Sequence, residues 1–355
     1  MIPLLESLIA TPSLSREEGP TADLIAAWLS ERGVAPQRRG HNVYATRRSP
    51  AAATLPDGRR AHVLLNSHHD TVRPAAGWSE HGDPFAPTWD GDRLTGLGSN
   101  DAGGPLVALL QTFVDLRDDE LPFDLTIAAT AEEEVSGAGG VASLLPHLPP
   151  VTCAIVGEPT GLDAAVAEKG LVVVDAETRG RSGHAARSEG ANALYRAIDD
   201  IRLLRDYAFA KTSERLGPIL VTTTQIEAGS QHNVVPDRCR FVVDVRTTDA
   251  YANEETVRLL QAAVSEHTRL TPRSTRLQPS GLSPKHPLYR AAVDGLGLRP
   301  YGSPTLSDQA LMPFPTLKLG PGDSARSHTA GEHIYRHELE RGVEIYTALL
   351  RGLRW

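Results

Sequence analysis

Cysteine is scarce in this chain: two residues in 355, Cys153 and Cys239. Both sit in apolar, strand-like runs and read as buried thiols, so a fold stapled by disulfides is excluded. No apolar run approaches the ~18 residues of a membrane span. The N-terminal segment has neither the basic n-region nor the continuous apolar h-region of a signal peptide. The expectation is a cytoplasmic protein with no membrane partner. A basic excess is missing as well: the formal net charge is -8, which argues against nucleic acid or an anionic membrane surface as partner. What is present is ordinary globular composition, 40% hydrophobic and 23% charged, in a chain long enough for two domains.

Residues 61 to 65 read as a buried strand that runs out into Asn66-Ser67-His68-His69-Asp70. A strand end holds ligand groups in fixed geometry. His68 and Asp70, two apart in extended chain, lie on one side, so one can bind a metal while the other orients its ring. Ahead of this strand, 2–10 and 17–32 read as helices, the second opened by a Ser15/Glu18 capping box. A long loop at 73–91 is followed by Gly96-Leu97-Gly98-Ser99-Asn100-Asp101-Ala102-Gly103-Gly104 and an apolar helix. Neither GxxxxGK[ST] nor GxGxxG is present, so the glycines do not make a phosphate cradle. Asp101 reads either as a helix cap or as a residue pushed into a crowded site by closely approaching backbone.

A buried strand at 125–129 ends in Glu132-Glu133-Glu134, and another at 153–156 ends in Gly157-Glu158-Pro159. Each acid alone is a turn residue. Repeated after apolar strands of an alternating strand–helix chain, they gather at the carboxyl edge of one sheet. One His and several carboxylates suit Zn²⁺, Co²⁺ or Mn²⁺, with a bridging Asp for a pair. From Lys169 the texture changes. Strands are expected at 171–178, 219–227 and 241–247, helices at 191–207 and 254–266, and a last edge strand at 275–278. That β-α-β-β-α-β order is a ferredoxin-like split unit, placed at about 172–283. A final strand at 316–319, a Gly-rich loop carrying His328 and a closing helix at 338–353 return to α/β character.

In this order the motifs resemble those of the M20 family of metallopeptidases and deacylases, over nearly the whole chain. They are Ser67-His68-His69-Asp70-Thr71-Val72, the turn at Asp101, Glu133-Glu134, Gly157-Glu158-Pro159-Thr160, Ser182-Gly183-His184 and Ser327-His328-Thr329. The resemblance implies an α/β fold. A central mixed-sheet, zinc-peptidase-like catalytic domain (1–171 and 284–355) would carry an inserted ferredoxin-like lid and dimerisation domain (172–283), in a homodimer. It implies one or two Zn²⁺ per subunit, or Co²⁺ or Mn²⁺. His68 and Glu158 would hold one metal, Glu134 and His328 the other, and Asp101 would bridge them. Asp70 would orient His68, Glu133 would be the general base, His184 would steady the oxyanion, and Asn233 and Arg246 would lie near the substrate. Two departures stand out. Asp101 is followed by Ala-Gly-Gly where the family commonly has Asp-x-Lys-Gly. The acidic triplet is Glu-Glu-Glu where Asp-Glu-Glu is typical, and Glu133 and Glu134 are chosen because Gly137 then falls in register.

Within the family, 66–74 and 320–332 look most like the arginine-pathway deacylases. The implied activity is hydrolysis of a small N-acyl amino acid, N-acetyl- or N-succinyl-L-ornithine, in arginine biosynthesis. The competing readings are succinyl-diaminopimelate desuccinylation, hydrolysis of carrier-protein-linked lysine or ornithine, dipeptide hydrolysis, and an inactive metal-binding regulatory relative.

Overall fold

The computed structural model describes residues 1–187 and 189–355. The chain folds into two compact units. The first comprises Met1–Val166, Leu282–Tyr301 and Ser307–Trp355. The second comprises Ala167–Gly281 with Gly302–Leu306. Relative to the segment expected at 172–283, the second unit begins at Ala167, ends at Gly281 and is rejoined by Gly302–Leu306.

The first unit is built on a mixed sheet. Its strands run Gln37–Arg39, Asn42–Arg47, Asp124–Thr130, His62–His68, Cys153–Val156, Thr316–Lys318 and Ala164–Glu168, in that spatial order. The four strands from Asp124–Thr130 to Thr316–Lys318 are mutually parallel, and antiparallel strands flank them. Every residue of His62–His68 and Asp124–Thr130 is buried, as central strands covered on both faces require. Alternate residues serve opposite faces. Val63, Leu65, Leu125, Ile127, Ile155 and Leu317 join one large apolar core, while Leu64, Ala128, Ala154 and Val156 join Val141, Leu144 and Met312 in another. Against the larger core lie the helices Ile2–Ile9, Gly19–Ser30, Gly104–Asp115 and Arg336–Gly352.

The helix Gly104–Asp115 is apolar nearly all round, with Pro105 in its first turn, and is buried along most of its length. Its packing fixes the turn that precedes it. A Cβ on Gly103 would sit 2.4 Å from the Gly98 carbonyl oxygen, and Gly98 itself adopts φ +75°. Those two glycines let the backbone double back just ahead of the helix. The parallel strands end on one edge of the sheet, so the loops after His68, Thr130, Val156 and Lys318 emerge together.

The second unit has the β-α-β-β-α-β order expected from sequence: Gly170–Arg179, Ala193–Arg205, Leu220–Ala228, Arg238–Thr247, Asn253–Ala263 and Thr268–Pro272. Its four-stranded sheet is antiparallel throughout, ordered Leu220–Ala228, Arg238–Thr247, Gly170–Arg179, Thr268–Pro272. Val172, Val174, Ala176, Phe241, Val243 and Val245 face its core, together with Ala197, Leu204 and Leu260 from the helices. The edge strand expected at 275–278 is instead Thr268–Pro272. There Thr268 and Leu270 are buried and pair with Thr178 and Ala176, an inward–outward alternation that 275–278 does not supply.

Candidate metal centre

His68 closes its strand and is buried to 1% exposure. Its Nδ1 lies 3.0 Å from the main-chain oxygen of Asp70. A carbonyl only accepts, so Nδ1 carries a hydrogen, and Nε2 is the ring nitrogen turned outward, available as a ligand once its proton is displaced. Nε2 faces carboxylate oxygens: Asp101 Oδ1 at 3.3 Å, Glu158 Oε1 at 3.8 Å and Glu133 Oε2 at 3.9 Å. Asp101 offers its two oxygens to two histidines. Oδ1 faces His68, and Oδ2 lies 3.6 Å from His328 Nε2. His328 Nε2 also lies 3.0 Å from Glu134 Oε2. His68, Asp101 and Glu134 offer ligand atoms within 4.8 Å of one another.

Asp70 does more than face the His68 ring. Its carboxylate, 3.5 Å from His68 Nδ1, accepts the main-chain N–H of Glu133 (3.0 Å) and of Glu134 (3.2 Å), and the Ser15 hydroxyl (2.7 Å). One buried acid thus sets both the ring and the acidic loop. The capping box expected at Ser15 and Glu18 does not form, and the helix begins at Gly19 without a side-chain cap. Ser15 bonds Asp70 instead, while Glu18 accepts the N–H groups of Arg16 (2.6 Å) and Glu132 (3.0 Å) and faces His41 Nδ1 at 2.7 Å. Tertiary partners have taken both side chains from the helix end. The Glu132 carboxylate turns back onto the N–H of Gly139 at 3.2 Å, which leaves Glu133 and Glu134 facing the histidines.

Two further acids escaped the sequence reading. Glu332, 1% exposed, accepts the main-chain N–H groups of Gly98 (3.0 Å), Asn100 (2.9 Å) and Asp101 (2.8 Å). Asp308 accepts from Asn66 Nδ2 at 2.9 Å and from the Thr130 hydroxyl at 2.7 Å, clamping the tips of the two central strands. Neither follows a predicted strand, and their partners lie more than 170 positions away in the chain.

The electrostatics are those of many anions gathered out of water. Burial lifts the Glu133 carboxyl well above its ordinary range, and Glu158, Asp308 and Glu134 add to the shift. Glu134 is raised for the same first reason. Burial likewise carries Asp308 to about 6 and Glu332 to about 7. Burial opposes a charge on His68, yet Asp101, Asp70, Glu133 and Glu158 hold its pKa well above the ordinary histidine value. The hydrogen bond to Glu134 lifts His328 to about 9. Four carboxylates around two imidazole rings call for a cation. The mixed nitrogen and oxygen donors fit Zn²⁺, Co²⁺ or Mn²⁺.

The structure brings His68, Asp70, Asp101, Glu133, Glu134, Glu158 and His328 together in the first unit. His184, Asn233 and Arg246 lie in the second. His184 is exposed, on a two-residue strand paired with Val234–Val235, and Ala185 N–H donates to the Asn233 carbonyl at 2.9 Å. Its Nδ1 accepts the Ala186 N–H at 3.1 Å, so the neutral ring carries its hydrogen on Nε2, free to donate. Arg246 is half-buried and grips Asp244 through Nε at 2.8 Å and Nη2 at 3.2 Å.

Residues 64–352 match the model of peptidase family M20/M25/M40. Acetylornithine deacetylases of Salmonella paratyphi B and Salmonella newport are each 29% identical over 392 aligned positions, covering 100% of this chain and 98% of the relative. The aminopeptidase PepT of Bacillus cereus superposes with a TM-score of 0.78 at 18% identity, over 99% of this chain and 97% of that one. An M20 family metallo-carboxypeptidase of Sulfolobus solfataricus gives 0.75 at 18%, over 99% and 98%. A dinuclear metal-binding peptidase of Bacillus subtilis gives 0.74 at 16%, over 99% and 96%. At these identities the solved structures establish likeness of fold.

Proposed function

The chain belongs to peptidase family M20/M25/M40 and is an amide hydrolase of that family; from that premise we propose that it removes the acyl group from N-acetyl- or N-succinyl-L-ornithine, in cytoplasmic arginine biosynthesis. One observation carries the reading: the two oxygens of Asp101 face His68 and His328, beside the carboxylates of Glu133, Glu134 and Glu158. The full-length relation to acetylornithine deacetylases supports the choice of substrate.

In this reading His68, Asp101 and Glu158 would hold one Zn²⁺, and Asp101, Glu134 and His328 would hold a second; Co²⁺ or Mn²⁺ suits the same donors. The bound metal supplies Lewis acidity to the amide carbonyl and acidifies water to roughly pKa 7. The chain's own residues do the rest. Asp70 fixes the His68 ring and the main chain of Glu133. Glu133, hung from that anchor, takes the proton of the attacking water and returns it to the leaving amine. His184, whose Nε2 carries the hydrogen, donates to the oxyanion. Asn233 and Arg246 contact the substrate, Arg246 reading its α-carboxylate with a fork suited to two parallel hydrogen bonds.

A homodimer belongs to the same proposal. Leu220 and Ile226 of the edge strand Leu220–Ala228 are exposed, as are Tyr195, Ile198 and Leu203 of the helix Ala193–Arg205. An unpaired edge beside exposed apolar side chains is the kind of surface that a second copy covers. Among the described residues no helix is long and apolar enough to cross a membrane.

The test is hydrolysis of N-acetyl-L-ornithine and of N-succinyl-L-ornithine by metal-stripped protein, before and after Zn²⁺ or Co²⁺ is added. Metal-restored turnover of either is expected, and the ratio of the two rates names the acyl group. Metal binding without turnover of either would overturn the ornithine reading in favour of diaminopimelate, carrier-linked or dipeptide substrates.

A further inference from the structure

Three main-chain N–H groups within four residues, those of Gly98, Asn100 and Asp101, converge on the single carboxylate of Glu332 at 2.8 to 3.0 Å. Successive N–H groups directed at one point form an anion nest, ordinarily used to hold a ligand. Here the anion is the protein's own. The Glu332 main-chain oxygen accepts from Gly96 at 3.0 Å, so the whole residue is keyed into the turn. A carboxylate at 1% exposure is costly to bury and is tolerated only when its oxygens are hydrogen-bonded. Glu332 meets that condition entirely with the turn that carries Asp101.

Its place in the chain gives the arrangement a purpose. Glu332 lies four residues after His328, in the same loop. The loop that presents His328 therefore also holds the backbone of Asp101, whose Oδ2 lies 3.6 Å from His328 Nε2. We infer that Glu332 is a positioning residue for the metal centre: it locks the Asp101 turn to the His328 loop, so that the two side chains are set at the spacing a metal requires before any metal arrives. This rests on the metal-centre reading of the preceding subsection and extends it to a residue that touches no ligand atom. Side chains that orient metal ligands from behind typically change metal affinity ~10- to 100-fold when removed.

Glu332→Gln is nearly isosteric and isolates the effect. Its amide oxygen can still accept from Asn100 and Asp101, but its NH₂ group would point at the Gly98 N–H, donor against donor. Metal-stripped wild type and Glu332→Gln would be titrated with Co²⁺, read by calorimetry and by the visible d–d bands that report ligand geometry, alongside metal-free thermal unfolding. Metal-free unfolding close to wild type, Co²⁺ affinity down ~10-fold or more, and altered d–d bands are expected. Wild-type affinity with unchanged bands would overturn the inference. So would a loss of affinity matched by an equal loss of metal-free stability, because the role would then be structural only. Failure of the wild type itself to bind Co²⁺ would instead overturn the metal-centre reading beneath it. Should Glu332→Gln not fold, Glu332→Asp, which keeps the charge one methylene short of the three N–H groups, carries the same test.

Discussion

Replacing Glu133 by glutamine keeps the shape of the side chain and removes its ability to take a proton. The Glu133 main-chain N–H stays anchored on Asp70 at 3.0 Å, because that bond does not involve the replaced group. Asp101, Glu134, Glu158, His68 and His328 keep their mutual geometry, so metal content should stay near that of wild type. The loss falls on proton transfer. A positioned general base contributes ~10²–10⁴-fold, and each factor of ten is about 1.4 kcal/mol, so the barrier rises by about 3 to 5 kcal/mol. The upper end is expected, since this carboxylate serves twice, accepting from water and donating to the amine. In the metal-free protein burial lifts Glu133 well above the ordinary carboxyl range, the direction that favours taking a proton. The assay is release of free ornithine from the acylated substrate by metal-loaded protein, with metal per chain measured on the same sample. A kcat within tenfold of wild type at full metal content would refute the assignment. Loss of metal together with activity would make Glu133 a ligand, and the choice made among the three glutamates would be wrong.

His184→Ala should lower kcat by ~10²–10³-fold with metal content unchanged, as loss of an oxyanion donor does; an unchanged kcat would remove His184 from the chemistry. If its donor reaches the partner subunit's site, mixing His184→Ala with Glu133→Gln chains should restore part of the activity. In the metal-free protein His328, lifted to about 9 by Glu134, carries a proton at neutral pH that a metal must displace. Metal affinity should therefore rise with pH, about tenfold per unit for each proton displaced, and level off as pH passes 9. Calorimetric Kd values for Co²⁺ that do not change between about pH 6.5 and 8.5 would refute this. Gly103→Ala forces a Cβ to 2.4 Å from the Gly98 carbonyl. Overpacking of that kind costs about 1 to 3 kcal/mol and should weaken metal binding by shifting the Asp101 turn; wild-type thermal unfolding and metal affinity would contradict the packing argument.

Much of the fold was legible because burial leaves a local imprint. Val63 to Leu65 and Ile127 to Ala129 are apolar because both faces of their strands are covered, and the period-two pattern of Gly170–Arg179 follows from one covered face. The last strand of the second unit was misplaced because Thr268–Pro272 is short and ends in proline, so its alternation is weak until Thr178 and Ala176 are there to pair with it. The acids after the strands were visible as repetition. Which acid of Glu132-Glu133-Glu134 faces the histidines is set by the turn, where Glu132 bonds back to Gly139.

By itself, the sequence determined the order of strands and helices, the edge at which the loops gather, and the residue types offered there, since each depends on neighbours a few positions away. Only the tertiary structure decided how those groups are held. Ser15 and Glu18 have the pattern of a helix cap and serve Asp70 and the acidic loop instead. Glu332 and Asp308 have no pattern at all, and their partners are 231 and 178 positions distant. A hydrogen bond between residues so far apart leaves no periodicity in the chain, because nothing links their positions until the backbone has folded.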